Sequence, residues 1–238
     1  AAQLCTKPTL IPQALLHYER GICAEDAFSA HGKRAFIMSH VLDMTGAPIV
    51  LVSAVPVLRS MGYEVLVLGP SDGGSLHLFL DAGASVITRS SCRNVSDAWG
   101  MALCADFVIA NTVVMARAVR ALSGTAVPVL WWLHDAFAGY PHIAHQIPTQ
   151  LGENVRVYSV GSHAANAMRA VRPEFEIRPL IYGLPDYAAE NFVRTDLGYN
   201  RGRPLFATVG SFERRKGHDI FCNCLLYTSP SPRDLSTS

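Results

Sequence analysis

A glycine and a proline mark the first segment that could do chemistry, residues 39–48 (SHVLDMTGAP). Pro48 suits the first position of a helix, and Ala47 before it has no side-chain oxygen for capping, so the backbone N–H groups there stay open. Gly46 lets a ligand approach the backbone closely, and phosphate is a typical occupant of such a place. An ordinary strand-to-helix turn is the alternative, and the GxGxxG dinucleotide pattern is absent.

A histidine and an aspartate end another apolar run, residues 127–133. Ligands of open parallel sheets bind at the carboxyl ends of strands, so His134 could hydrogen-bond a ligand hydroxyl while Asp135 fixes the tautomer of its ring. A surface histidine with a chance neighbour is the alternative. His142 and His145 add a metal interpretation, but without helical HxxxH spacing or a cysteine partner no zinc site is predicted.

Three consecutive cations, residues 214–216, lie between Gly210 and Gly217. At a strand-to-helix turn they can hold a diphosphate through charge-assisted hydrogen bonds, although a solvated basic turn has the same composition. Two weaker candidates follow other strands. Ser162 could bind a ligand or simply cap a helix, and Gly183 lies in a turn that could form the floor of a cleft.

Short apolar runs alternate with longer helical stretches, which is typical of a parallel sheet covered by helices. The predicted strands are residues 35–39, 65–68, 85–88, 107–110, 127–133, 155–160 and 177–180. The predicted helices are residues 49–61, 76–82, 95–103, 113–121 and 164–171, with a kink at Pro56. Right-handed crossovers would assemble them into an α/β, Rossmann-like, doubly wound parallel sheet.

The predicted domain organisation is one α/β domain and the beginning of another. The segments are an unassigned 1–31 with a helix at 13–20, the Rossmann-like domain at 32–186, a polar linker at 187–203, and the start of a second α/β domain at 204–223 with a strand at 205–209. Residues 224–238 resemble a translated sequencing adapter (CLLYTSPSPRD) and lack helix or strand periodicity. We therefore expect a non-native tail and a gene that continues beyond it.

The composition narrows the class of protein. Half of the 238 residues are apolar and 16% are charged, which excludes intrinsic disorder. Twenty Lys and Arg against nineteen Asp and Glu give no field for nucleic acid or an anionic membrane. The longest apolar stretch, 47–58, is too short to span a bilayer. Six cysteines without a CxxC pair and the absence of a readable signal peptide favour a cytoplasmic protein with reduced thiols.

In order, these pieces resemble the motifs of family-4 glycosyltransferases of the GT-B fold over residues 33–223. The matching segments are TGAP at 45–48, GYEV at 62–65, DFVIAN at 106–111, VPV through HD at 127–135, VGS at 160–162, IYGL at 181–184, and VG through RKG at 209–217. The resemblance implies the amino-terminal lobe of a GT-B enzyme and a truncated second lobe.

The resemblance also implies an activity: retaining transfer of a sugar, of hexosyltransferase type, from a nucleotide diphosphate sugar to a glycan or lipid-linked acceptor. It implies no metal or other cofactor, no nucleic-acid partner, and at most peripheral membrane association. By position, Gly46 would bind the donor diphosphate, His134 would touch the transferred sugar, and Lys216, helped by Arg215, would neutralise the leaving diphosphate. The other implied substrate contacts are Asp135, Ser162 and Gly183.

Two departures from the family pattern qualify this expectation. Ser211 stands where many members have arginine, and the acidic ExxxxxxxE segment is missing, so the fragment alone is predicted to be inactive. The loop at 137–150 is predicted to hold the acceptor. A sugar-nucleotide 2-epimerase of the same architecture and a non-catalytic two-lobed sugar-binding protein remain as alternatives.

Overall fold

A computed structural model describes residues 20–22, 32–90, 92, 99–183, 206–210, 212 and 214–228 of the chain. The chain divides into two compact units, Ala1–Leu184 and Pro185–Ser238, each of which is described by itself. The predicted linker, 187–203, lies outside the described residues.

The described residues of the first unit form one sheet of eight strands. The strands are β1 Arg20–Ile22, β2 Lys33–Met38, β3 Tyr63–Gly69, β4 Ser85–Thr88, β5 Phe107–Asn111, β6 Val129–Leu133, β7 Val155–Ser159 and β8 Ile177–Pro179. Their order is β1-β4-β3-β2-β5-β6-β7-β8, and β2 to β8 are all parallel. This is the order of a doubly wound Rossmann-like sheet, so the predicted fold class is confirmed.

The seven parallel strands were predictable because most contain a short apolar run, such as residues 65–68 of β3. Burial on both faces accompanies these runs: β4, for example, is buried at all four positions, as expected where helices cover both faces of the sheet. β1 is the exception. It pairs antiparallel with β4, Gly21 opposite Ile87, and places in a strand the residue Arg20, which the sequence assigned to the end of a helix. Three residues are too few for periodicity to reveal a strand.

Four helices flank this sheet in the described part of the first unit: α1 Gly46–Ser60, α2 Leu76–Asp81, α3 Ala116–Leu122 and α4 Ser162–Arg169. α1 continues through Pro56. Two predicted helices are partly 3₁₀. Val113–Met115 forms a 3₁₀ turn before α3. Of the predicted helix at 95–103, the structure shows residues 99–100 as α-helix and Met101–Cys104 as a 3₁₀ turn, while residues 93–98 lie outside the described part.

The core has two layers, one on each face of the sheet. Alternate residues of the strands, such as Ile37 and Ile109, pack with α1 and α2, whereas Met38 and Ala110 pack with α3 and α4. Among the described residues, helices cover both faces of the sheet and leave the ends of the strands accessible. Any ligand site of this unit is therefore expected at the ends of the strands.

The second unit contains a helix, α5 His218–Thr228, which follows a 3₁₀ turn at Arg214–Lys216. The predicted strand at 205–209 is wrong for residues 206–209, which are exposed coil, and the described residues of the second unit include no strand with which they could pair. α5 also runs through residues 224–228, where neither helix nor strand was expected, because Leu and Tyr continue the helix. Among the described residues, no helix combines the length and apolar character needed to cross a membrane.

Candidate active site

The order of the strands reverses between β2 and β5, whose carboxyl ends lie side by side. Such a reversal opens a crevice in doubly wound sheets, and ligands bind there. The residues at this edge are Ser39 and His40 after β2, Asn111 and Thr112 at the end of β5, and His134 and Asp135 after β6.

The loop after β2 leads directly into the amino terminus of α1. The helix is capped at Thr45, so Gly46 rather than Pro48 is its first residue, which corrects the predicted helix start. Thr45 is held by the Asp43 carboxylate, which accepts hydrogen bonds from the Thr45 amide at 3.2 Å and from its hydroxyl at 2.5 Å. Gly46 and Ala47 therefore supply the first helical N–H groups, since Pro48 has none.

Two glycines of the turn after β3 fix the position of this loop. The Leu42 carbonyl accepts a hydrogen bond from the Ser75 amide at 2.9 Å. A Cβ at Gly73 would overlap the Leu42 carbonyl group, and one at Gly74 would lie 2.7 Å from the Met44 side chain. The loop that ends at Gly46 thus packs against the backbone of Gly73 and Gly74, where a side chain would clash with it.

Asp135 anchors the end of β5 rather than the ring of His134. Its Oδ2 accepts a hydrogen bond from the Val113 amide at 2.6 Å, and its own amide and that of His134 also donate to the carboxylate. Burial raises the pKa of this carboxyl, and these backbone hydrogen bonds oppose the shift. Among the described residues no hydrogen bond joins Asp135 to the imidazole, so the predicted fixing of the tautomer is wrong.

Thr112 connects β5 to the 3₁₀ turn in a conformation that L-residues rarely adopt, with φ at 73°. The neighbouring strand holds it there. The Thr112 amide donates to the Trp132 carbonyl at 2.8 Å, and the Trp131 indole N–H donates to the Thr112 carbonyl, also at 2.8 Å. Backbone strain of this kind concentrates at functional sites.

His134 lies among aromatic rings. Its ring centroid is 5.0 Å from that of Trp132 and 6.5 Å from that of Tyr182, whose ring is nearly parallel to it. Burial, followed by repulsion from His40, lowers the pKa of His134 from 6.5 to about 4. The imidazole is therefore neutral at pH 7 and can both donate and accept a hydrogen bond.

The lowered pKa of His134 predicts a pH-dependent stability. Between pH 6.5 and about 4 the unfolded chain binds a proton that the folded chain does not, so stability is complete above pH 6.5 and is lost as the pH falls toward 4. We expect the free energy of unfolding to fall by about 2 kcal/mol more in the wild type than in His134→Gln between pH 7.5 and pH 5. Urea titrations at the two pH values measure this.

The control for that experiment is His77→Gln, on the exposed surface of α2. It should keep the wild-type difference between the two pH values. Equal differences for wild type and His134→Gln would contradict the burial of a neutral imidazole.

Two further polar residues at the carboxyl ends of the strands, Asn111 and Tyr140, were not among the site residues expected from the sequence. Asn111 is fully buried, and Tyr140 is 3% exposed; within the described part of the chain, neither the Asn111 amide nor the Tyr140 hydroxyl has a hydrogen-bond partner. Burial, with repulsion from Asp135, raises the pKa of Tyr140, so its hydroxyl stays protonated. For Asn111 the signals were its place at the end of an apolar run and its position as the last residue of the family-like segment at 106–111, and Tyr140 gave none beyond its place in the predicted acceptor loop.

The predicted acceptor loop, 137–150, is tied down by two arginines. Arg172 donates to the carbonyls of Ile147 and Pro148 at 2.8 and 2.9 Å, and Arg120 donates to that of Gln146 at 2.6 Å. At the start of the loop, the half-exposed ring of Phe137 packs edge-on against that of His163 of α4, with the two ring centroids 6.0 Å apart. The loop is thus held at several points and presents an aromatic ring at its surface.

The remaining predicted site residues lie as follows. Ser162 is the first residue of α4 and not its cap, which is Gly161. Gly183 follows β8 and is exposed. In the second unit, Arg215 and Lys216 belong to the 3₁₀ turn, and the Lys216 side chain is exposed. His134 and Asp135 therefore lie at the carboxyl ends of the strands, where the loop that leads to Gly46 begins. Lys216 belongs to the other unit.

The described residues contain no group of three His, Cys, Asp or Glu side chains arranged to hold a metal ion. A separate cleft of about 390 Å³ is lined by residues at the starts of β7 and β8, among them Val155, Arg156, Glu176 and Arg178. It lies at the amino ends of these strands, whereas His134 follows the carboxyl end of β6.

The sequence of this chain was compared with models of known protein families. Residues 31–172, more than half of the chain, match the model of glycosyl-transferase family 4. The chain belongs to this family of glycosyltransferases. The resemblance in the sequence is confirmed, and the carboxyl edge that holds His134 is the edge of a family-4 domain. Comparison with curated protein sequences gives no match.

Solved structures share the fold of this family-4 chain. Anabaena Alr3699/HepE in complex with UDP-glucose has a TM-score of 0.51 at 14% identity, over 65% of this chain and 44% of HepE. HepE in complex with UDP and glucose has a TM-score of 0.50 at 15% identity, over 65% of this chain and 45% of HepE. The match spans less than half the length of HepE, and at this identity it shows the fold.

Proposed function

We propose that this chain is the acceptor-side part of a retaining glycosyltransferase that moves a hexose from a nucleotide diphosphate sugar to a glycan or lipid-linked acceptor. The enzyme acts in the cytoplasm, at most peripherally attached to the inner face of the membrane, and needs no metal or other cofactor. The observation that carries the proposal is a neutral, aromatic-lined histidine at the carboxyl edge of a family-4 domain. HepE, which shares the fold, binds UDP-glucose.

The chemistry of the edge suits a sugar better than an anion. His134 is neutral, and the hydroxyls of Thr112 and Tyr140 are uncharged. Such groups exchange hydrogen bonds with sugar hydroxyls, while the aromatic rings of Trp132 and Tyr182 offer apolar surface to a pyranose. We therefore assign His134 to the transferred sugar, with the loop 137–150 on the acceptor side.

Negative charge grows on the departing diphosphate as the glycosidic bond breaks, and positive charge beside it stabilises that state. In the first unit the open N–H groups of Gly46 and Ala47 at the start of α1 supply part of it. We propose that Lys216 and Arg215 of the second unit supply the rest. This division leaves the sugar to neutral groups and the diphosphate to dipoles and cations.

The test uses the full-length gene product. Incubation with UDP-glucose and with GDP-mannose should release the nucleoside diphosphate and, with a glycan acceptor, yield a product whose anomeric configuration is retained. His134→Ala and Lys216→Ala should each lower kcat/KM by about 10²–10³. His77→Ala, on the exposed surface of α2, should leave it unchanged.

Different outcomes separate the alternatives. Normal turnover in both site variants contradicts the assigned residues, and an inverted product contradicts retention. An epimerised sugar nucleotide formed without acceptor indicates an epimerase. Tight binding of free glucose with no response to nucleotide indicates a sugar-binding protein.

A further inference from the structure

Asn111 occupies an energetically unfavourable position at the carboxyl end of β5, the strand beside which the strand order reverses. It ends β5, opposite Trp132 of β6, and is completely buried. Within the described residues, neither its Oδ1 nor its Nδ2 has a hydrogen-bond partner. A buried amide without partners loses its hydration and gains nothing in return, so its presence calls for a ligand.

Other polar atoms without partners gather at the same strand ends. In the described part of the chain the Thr112 hydroxyl, next to Asn111, and the Nε2 atom of His134 are also buried without hydrogen bonds. Ile109 and Trp132 belong to the α1 side of the core, so Asn111, two residues after Ile109, lies on that face. Trp132 lies opposite Asn111 on the neighbouring strand β6, and its ring centroid is 5.0 Å from that of His134, which follows the same strand. Trp132 is thus the strand neighbour of Asn111 and a ring neighbour of His134.

The type of ligand follows from the amide itself. An amide without partners offers two donors and one acceptor. A phosphate has only acceptors and would place an anion against Oδ1, whereas a sugar hydroxyl both donates and accepts. The neutral state of His134 fits the same uncharged ligand.

We propose that Asn111 is a sugar-binding residue, whose amide nitrogen donates to one hydroxyl of the transferred sugar and whose oxygen accepts from another. This inference rests on the proposed function and adds to it a residue that sets sugar specificity. Because the amide is shielded from water in this structure, the sugar reaches it only after neighbouring side chains shift.

Calorimetric titration of the full-length protein with UDP-glucose and with UDP tests the assignment. Asn111→Leu keeps the branching at Cγ but removes every hydrogen bond, and Asn111→Ala removes the amide without adding volume. Both should weaken UDP-glucose by about 10- to 100-fold and leave the affinity for UDP within about twofold.

The stability of the ligand-free protein provides a readout that a structural role would move in the opposite direction. If the amide is unpaired without ligand, Asn111→Leu should raise Tm by about 2–6 °C. The matched control is Ser85→Ala, which removes a buried hydroxyl that also lacks a described partner, at the start of β4. It should leave the affinities for UDP-glucose and UDP unchanged.

The possible results separate cleanly. Unchanged UDP-glucose affinity in both Asn111 variants, or equal weakening of UDP-glucose and UDP, would overturn the assignment. A fall in Tm for Asn111→Leu with unchanged sugar affinity would show that the amide serves the fold, through a buried water. A wild-type protein that binds none of UDP-glucose, GDP-mannose, UDP and GDP would instead refute the proposed nucleotide-sugar donor and, with it, this role of Asn111.

Discussion

Gly73→Ala is expected to lower the free energy of unfolding by about 2–4 kcal/mol, although it adds a single methyl group. That methyl would overlap the carbonyl oxygen of Leu42 and lie 2.5 Å from its carbonyl carbon. Backbone cannot rotate away as a flexible side chain can, so either the turn after β3 or the loop after β2 must move. Urea denaturation measures the loss.

The same substitution should displace the loop that ends at Gly46 and reduce transfer by the full-length enzyme. Gly46→Ala is the matched control for stability, because a Cβ there meets nothing within 4 Å and the residue starts a helix. We expect it to change the free energy of unfolding by less than about 1 kcal/mol, with either no change or a gain. Wild-type stability in Gly73→Ala would show that the close approach to Leu42 is relaxed in solution.

Trp131→Ala should cost about 3–5 kcal/mol, and Trp131→Phe about 1–3 kcal/mol. The side chain is completely buried in the layer under α3 and α4, so truncation to alanine leaves a large cavity. Phenylalanine fills most of that volume but leaves the buried Thr112 carbonyl without the indole N–H that reaches it at 2.8 Å. The loss in Trp131→Phe therefore measures the hydrogen bond, and that in Trp131→Ala adds the packing.

The neighbouring tryptophan provides the comparison. The Trp132 indole N–H donates to the Leu180 carbonyl over a longer distance, 3.2 Å, and Leu180 is only partly buried. Trp132→Phe should therefore be less destabilising than Trp131→Phe, because water can replace the lost donor. The reverse order in thermal or urea unfolding would contradict the role given to Trp131 in holding Thr112.

Local pattern was sufficient for the sheet and insufficient for the crevice. β3 and β5 could be located because a parallel strand covered on both faces contains a run of consecutive apolar residues. Contacts between distant segments leave no such pattern. The bond from the Val113 amide to Asp135 joins residues 22 apart in sequence, and nothing near either residue announces it.

The same reason explains the site. His134 and Gly46 could be identified because each follows a strand and has a residue type suited to ligands. Asn111 was visible only as the polar end of an apolar run and of the family-like segment at 106–111, since its burial and lack of described partners depend on the neighbouring strands. The start of α1 was misplaced because the Asp43 carboxylate selects Thr45 as the cap, a choice that Pro48 alone does not reveal.

Both outer strands of the sheet, β1 and β8, are three residues long, and β8 ends in a proline without an N–H group. Short borders of this kind offer few backbone groups for another polypeptide to extend, which protects against aggregation through added strands. Removing residues 1–31 would remove β1 and expose the edge of β4, whose four residues are all buried. A shortened protein beginning at residue 32 should thus be markedly less soluble.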